Sequence, residues 1–166
     1  MQKPLFTVDL EDFNHGLHID KGGHTSIPAL WWLQYKLNQY NVKAIFYVLQ
    51  KFSEEQPGMV GALAQEGHRI QSHGYYHIRG EKSDRQPYQF LGFCGGFWFR
   101  LLPLWFIKKQ IEKEGQFYCH IHDLDEKHPK LSNPIMNWKR HVGLKTARKK
   151  LERLLQEVKF ESVTST

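Results

Sequence analysis

Only two cysteines, Cys94 and Cys119, occur in 166 residues, and they form no CxxC pair. A disulfide framework and a thiolate zinc site are therefore not indicated. The amino terminus, MQKPLFTVDLEDF, lacks the pattern of a secretory leader and runs straight into structure, so the expected location is cytoplasmic. With no internal repeat and no disordered linker, one domain over 1–166 with a real hydrophobic core is expected. Acidic residues are missing between Asp84 and Glu112, and 127–160 holds two glutamates against ten lysines and arginines. Against an overall charge of +6, that local +8 leaves the remainder slightly acidic. Such a basic end suits a solvated helix face, or contact with anionic membrane, nucleic acid or an anionic sugar carrier. The chain carries no recognised nucleic-acid module, which makes nucleic acid the weakest of these partners.

Histidine, by contrast, is plentiful: ten of them make metal binding an early question. The apolar pattern then supplies a frame. PLFTVD (4–9) reads as a buried strand ending in carboxylates. Ser26-Ile27-Pro28 opens a helix that points Leu30, Leu33 and Leu37 inward. VKAIFYVL (42–49) is a second strand, and Ser53 with Gln56 forms a capping box for a helix ended by Gly67. HRIQS (68–72) is a third strand. This alternation predicts a parallel α/β architecture with its polar chemistry at the carboxyl ends of the strands.

FLGFCGGFWFRLLPLWFI (90–107) is long enough to cross a membrane, but Arg100, Gly95-Gly96 and Pro103 argue against it. A buried strand followed by a helix is expected there, with a monotopic membrane contact as the alternative. GQFYCHIHDLD (115–125) reads as another strand ending in a polar cluster. A last helix over 143–157 turns Leu144, Ala147, Leu151, Leu154 and Leu155 to one face.

Three clusters could carry chemistry. In TVDLEDF, Asp9 and Glu11 point to the same side of a strand, because side chains alternate. Burying such carboxylates together is costly without a cation, and one could bind a metal while the other takes a proton. His73 and His77, in QSHGYYH, have a spacing that lets two imidazoles converge on one ion. Two histidines and one carboxylate make a common open zinc site. The third cluster is His120, His122, Asp123 and Asp125, in which a strand-end histidine could act as a general acid or simply be tied to a neighbouring carbonyl.

TVDLEDF, EGHRIQSHGYYH, GGFWFRLLP and FYCHIHDLDEKHP, in that order, resemble the polysaccharide deacetylases of carbohydrate esterase family 4. The branch most similar is the one associated with exopolysaccharide and exosortase gene clusters. HVGLKTARKKLERLLQEVKF resembles that branch's closing helix and strand, and the resemblance covers most of residues 4–160. It implies a distorted (β/α) barrel, a divalent metal, most often zinc, and hydrolysis of N-acetyl groups on an amino-sugar polysaccharide or a lipid-linked precursor. By position it implies Asp9 as the base, Glu11, His73 and His77 as metal ligands with Asp12 as a rival carboxylate, and His120 as the general acid. Arg85, in Arg85-Gln86-Pro87, would be the remnant of an Arg-x-Pro motif that holds the base.

The chain departs from the family in its middle. Seven residues separate His77 from Arg85, too few for a helix and a further strand. The barrel is therefore expected to be incomplete, with an exposed edge that homodimerisation would cover. With no carboxylate between Asp84 and Glu112, the group that tunes the general acid is expected to be absent. A catalytically inactive relative, acting in binding or assembly, is the competing reading.

Overall fold

The computed structural model describes residues 3–12, 25–78, 82–85 and 92–163. Among the described residues four strands form: β1 (Leu5–Leu10), β2 (Ile45–Val48), β3 (Arg69–Ser72) and β4 (Gln116–His120). They pair in parallel, in the order β3-β2-β1-β4. Parallel pairing requires crossovers, and helices supply them: α1 (Ile27–Gln39), α2 (Gln50–Glu55), α3 (Pro57–Gln65), α4 (Gly96–Leu101) and α5 (Leu104–Glu114). A 3₁₀ turn (Ile121–Leu124), α6 (Pro134–His141) and α7 (Leu144–Glu157) complete the described chain. This is an α/β fold whose sheet, among the described residues, does not close into a barrel.

The register matters most. Leu10 lies beside Val48, Val48 beside Ser72, and Asp9 beside both Tyr47 and His120. All four strands thus end in one row, and whatever follows them shares one rim. β1 is covered on both faces, as a central parallel strand must be. Phe6, Val8 and Leu10 face one side, while Thr7, Asp9 and Glu11 form a buried polar column on the other. On the apolar side, Phe6 packs against Phe117 and Phe160, with ring centroids 5.0 and 5.1 Å away.

Leu30, Leu33 and Leu37 of α1 are buried, as are Leu144, Ala147, Leu151, Leu154 and Leu155 of α7. Three local expectations fail. No capping box forms at Ser53: the helical stretch begins earlier, Leu49 is the N-cap of α2, and Pro57 starts a separate α3 after a break at Gln56. The strand expected within 90–107 is reduced to a single bridge from Gly95 to Tyr118, followed by α4 and α5, with Pro103 between them. A side chain cannot be fitted at that bridge, because a Cβ on Gly95 would lie 1.9 Å from the Tyr118 carbonyl oxygen. The closing strand after α7 is likewise missing among the described residues; in the extended tail the Glu161 N–H donates to the Pro4 carbonyl at 2.9 Å. No described helix is long and apolar enough to cross a membrane.

His68 ties the sheet's entry side together. It is buried against the Phe46 ring, and the Ala44 N–H donates to its Nδ1 at 3.1 Å. Burial, reinforced by Lys43, pushes its pKa down to about 4, since a proton on Nδ1 would both charge a buried ring and break that bond. The folded value lies below the unfolded value of 6.5, so the unfolded chain binds the extra proton and stability falls as pH drops below 6.5. The loss from this residue should reach about 2–3 kcal/mol by pH 4.5. Urea unfolding at pH 7.5 and 4.5 should show a correspondingly smaller drop for His68→Asn, whose amide oxygen can accept the same bond without titrating.

Candidate active site

The site lies on the rim where the strands end. Asp9 and Glu11 reach it from β1, His73 from the residue after β3, and His120 from the last position of β4. The Gly74 turn folds back on β2, where Gln50 N–H donates to the Gly74 carbonyl at 2.9 Å and His73 N–H to the Val48 carbonyl at 2.9 Å. Gly74 has φ +85° and His77 has φ +59°. A left-handed backbone at a histidine is uncommon, and here it returns the ring to within 4.8 Å of His73, centroid to centroid.

Arg85 arrives by an unexpected route. In place of a helix and a strand, residues 82–85 return directly to the end of β3. Ser72 N–H donates to Asp84 Oδ2 at 2.6 Å, and Asp84 N–H to the Ser72 carbonyl at 2.9 Å. This return lays the Arg85 guanidinium over the Tyr47 ring, 4.1 Å from its centroid. Its two terminal nitrogens meet Asp9 Oδ1 and Thr7 Oγ1, each at 2.6 Å. The remaining two positions of the Arg-x-Pro remnant, Gln86 and Pro87, lie outside the described residues.

Glu11, His73 and His77 offer donor atoms that all lie within 4.8 Å of one another. The buried Glu11 Oε2 and His73 Nε2 have no hydrogen-bond partner. His73 Nδ1 lies 3.2 Å from the Arg85 carbonyl, so Nδ1 carries the proton and Nε2 keeps its lone pair toward the cluster. Burial pushes the Glu11 carboxyl up to about 7, with Asp9 adding to the effect against His120 and Arg140. Each of these features suits a divalent cation: convergent donors, a ring oriented by its other nitrogen, and buried negative charge in excess. Asp12 is engaged elsewhere. Its carboxylate accepts from Ser26 N–H at 2.7 Å and Thr25 Oγ1 at 2.6 Å, satisfying the start of α1. Glu11 is the carboxylate that converges with His73 and His77.

Two family models match the chain: a polysaccharide deacetylase model over residues 16–91, and a domain of unknown function, DUF3473, over 86–166. A peptidoglycan-N-acetylglucosamine deacetylase of Bacillus cereus is 41% identical over 54 residues, which is 32% of this chain and 20% of that protein. The chain thus matches about a fifth of that relative's length. The crystal structure of a polysaccharide deacetylase from Bacillus cereus aligns with 98% of this chain and 92% of its own, at 16% identity and a TM-score of 0.46.

The carboxylate beside His120 is present after all. Asp123 Oδ2 sits 3.0 Å from His120 Nδ1 and also accepts from the His120 N–H at 3.0 Å. The expected absence of a tuning carboxylate is thereby overturned: it comes from three residues downstream, through the 3₁₀ turn. Arg100, the charge in the middle of the apolar run, is buried because its Nε donates to Asp123 Oδ1 at 2.9 Å. The same guanidinium binds the Lys139, Arg140 and Val142 carbonyls at the end of α6. His120 Nε2 faces Asp9 Oδ2 at 3.6 Å and Glu11 Oε1 at 4.0 Å.

Burial opposes charge on His120, but the Asp123 hydrogen bond and charge, with Asp9 and Glu11, raise its pKa to about 9. Asp123 itself is held well below the usual carboxylate range, because Arg100 and His120 outweigh its burial. The sequence places His120 and Asp123 in one cluster, and their i,i+3 spacing was the signal available for the pair. Metal-free protein titrated by nitrogen-15 NMR should show His120 charged through neutral pH and losing its proton near pH 9. In Asp123→Asn that transition should fall by at least about one pH unit.

Proposed function

We propose that the chain hydrolyses N-acetyl groups on an amino-sugar polysaccharide or its lipid-linked precursor, with a divalent metal, zinc being the best match, held by Glu11, His73 and His77. The observation that carries this reading is the meeting of those three donors on one rim with Asp9 and His120 beside them. Two imidazoles and one carboxylate suit zinc and leave coordination positions open. A bound cation supplies Lewis-acid polarisation of the acetamide carbonyl and makes water more acidic.

The protein's own groups then divide the proton work. Arg85 holds Asp9 through Oδ1 and is itself fixed by Thr7, leaving Asp9 Oδ2 toward His120. Asp9 accepts a proton from the water that adds to the carbonyl carbon. His120 keeps Nδ1 on Asp123 and gives the Nε2 proton to the sugar nitrogen as the C–N bond breaks. Acetate and a free amine result. A cleft of about 660 Å³ opens beside these groups, lined by Phe97, Trp98 and Trp138 among others, and is wide enough for a sugar residue.

A second reading, a catalytically inactive binding or assembly protein, is favoured by the abbreviated link between His77 and Arg85, which leaves no room for the usual crossover. One assay separates the two. Zinc-loaded protein should release acetate from N-acetylglucosamine oligomers, Asp9→Asn should lose about 10²–10⁴-fold in kcat, and His73→Ala should lose both zinc content and turnover. Tight zinc binding with no acetate release would favour the inactive reading. Turnover surviving Asp9→Asn would remove Asp9 as the base.

A further inference from the structure

The apolar run at 90–107 is only partly spent on the core. Phe99 and Cys94 are fully buried, yet Phe93, Leu101 and Trp105 are exposed, Trp105 by 67%. They join a continuous series of ring contacts: Trp105–Phe106, Phe106–Phe93, Phe93–Trp98, Trp98–Phe97 and Phe97–Trp138. The series runs from the start of α5, across α4, to α6, and its inner members line the cleft that holds Glu11, His77 and His120. On α6, Ile135 and Met136 extend the apolar surface, Ile135 being 67% exposed. A contiguous exposed patch of this kind calls for a partner.

Cations border it. The 127–131 segment packs beside α6, with His141 Nε2 3.0 Å from the His128 carbonyl and Leu131 N–H donating to Asn137 Oδ1 at 2.8 Å. Lys127, Lys130 and Lys139 are exposed there, against one exposed carboxylate in the stretch, Glu126. α6 itself contains Lys139, Arg140 and His141 and no acidic residue.

We propose that this face docks on an anionic lipid surface, with the cleft opening at the membrane interface. Tryptophans beside aliphatic side chains, bordered by lysines, suit the headgroup boundary of a bilayer. Because no described helix can cross a membrane, the contact lies in the plane of the surface. A glycan platform fits less well. The rings meet edge to face, at 64–83°, rather than lying side by side as an open stacking surface. Leu101, Ile135 and Met136 add exposed hydrocarbon to the face, which bonds no sugar hydroxyl.

The test is co-sedimentation with phosphatidylcholine vesicles, with and without phosphatidylglycerol, read without turnover so that it stands apart from the deacetylase assay. Binding should require phosphatidylglycerol and weaken with salt. Lys127→Gln and Lys130→Gln should each cost about fivefold. Trp105→Gln with Ile135→Ser, both outside the cleft lining, should cost about tenfold or more while circular dichroism and hydrolysis of soluble oligomers stay unchanged. Three results would overturn the proposal: no vesicle binding by the intact protein, loss of soluble-oligomer binding in the double variant, or light scattering showing a dimer that the double variant makes monomeric.

Discussion

Two carboxylates, Asp9 and Glu11, emerge side by side from the end of a strand that is buried on both faces, and the rim of the molecule is arranged around neutralising them. Arg85 takes Asp9 at 2.6 Å, and His120 stands 3.6 Å from Asp9 and 4.0 Å from Glu11. Glu11 is left with buried charge in excess, and burial first, then the Asp9 charge, raises its carboxyl to about 7. A cation between Glu11, His73 and His77 would relieve that excess. The constraint is the strand's alternation: Thr7, Asp9 and Glu11 cannot avoid sharing a face once Phe6, Val8 and Leu10 occupy the other.

The supporting shell extends this balance outward. Arg100 pins Asp123, Asp123 pins His120, and His120 meets the β1 carboxylates, so that positive and negative groups alternate from the apolar run to the site. Buried ion pairs of this kind are weak sources of net stability, but removing one partner leaves the other charge stranded. Arg100 also binds three carbonyls at the end of α6. The helix that borders the cleft is therefore attached to the same guanidinium that orients the candidate acid.

Much of this was legible in residue order. Strand ends, the inward leucines of α1 and α7, the Asp9/Glu11 face and the His73/His77 pair follow from period-two and period-3.6 patterns, which are local. What could not be read depended on contacts across the chain. Asp123 stood in one cluster with His120, but its firm hold on the ring depends on Arg100, which fixes its other oxygen from 23 residues away. Arg85 was expected to hold Asp9, but its path, through Ser72 and Asp84 rather than through a crossover, was not legible. The strand expected within 90–107 is a single bridge, where Gly95 is needed for its approach to Tyr118. Asp12 was indistinguishable from Glu11 until Ser26 and Thr25 claimed it.

Among the described residues Glu11 belongs to two groups able to converge on an ion, one with His73 and His77, the other with His120 and His122. They assign opposite duties to His120, a proton donor in the first and a ligand in the second. Anomalous diffraction at the zinc edge from crystals of the zinc-loaded protein decides between them. The account predicts a single strong peak among Glu11, His73 and His77, with His120 still bonded to Asp123; a peak bound by His120 and His122 would contradict it.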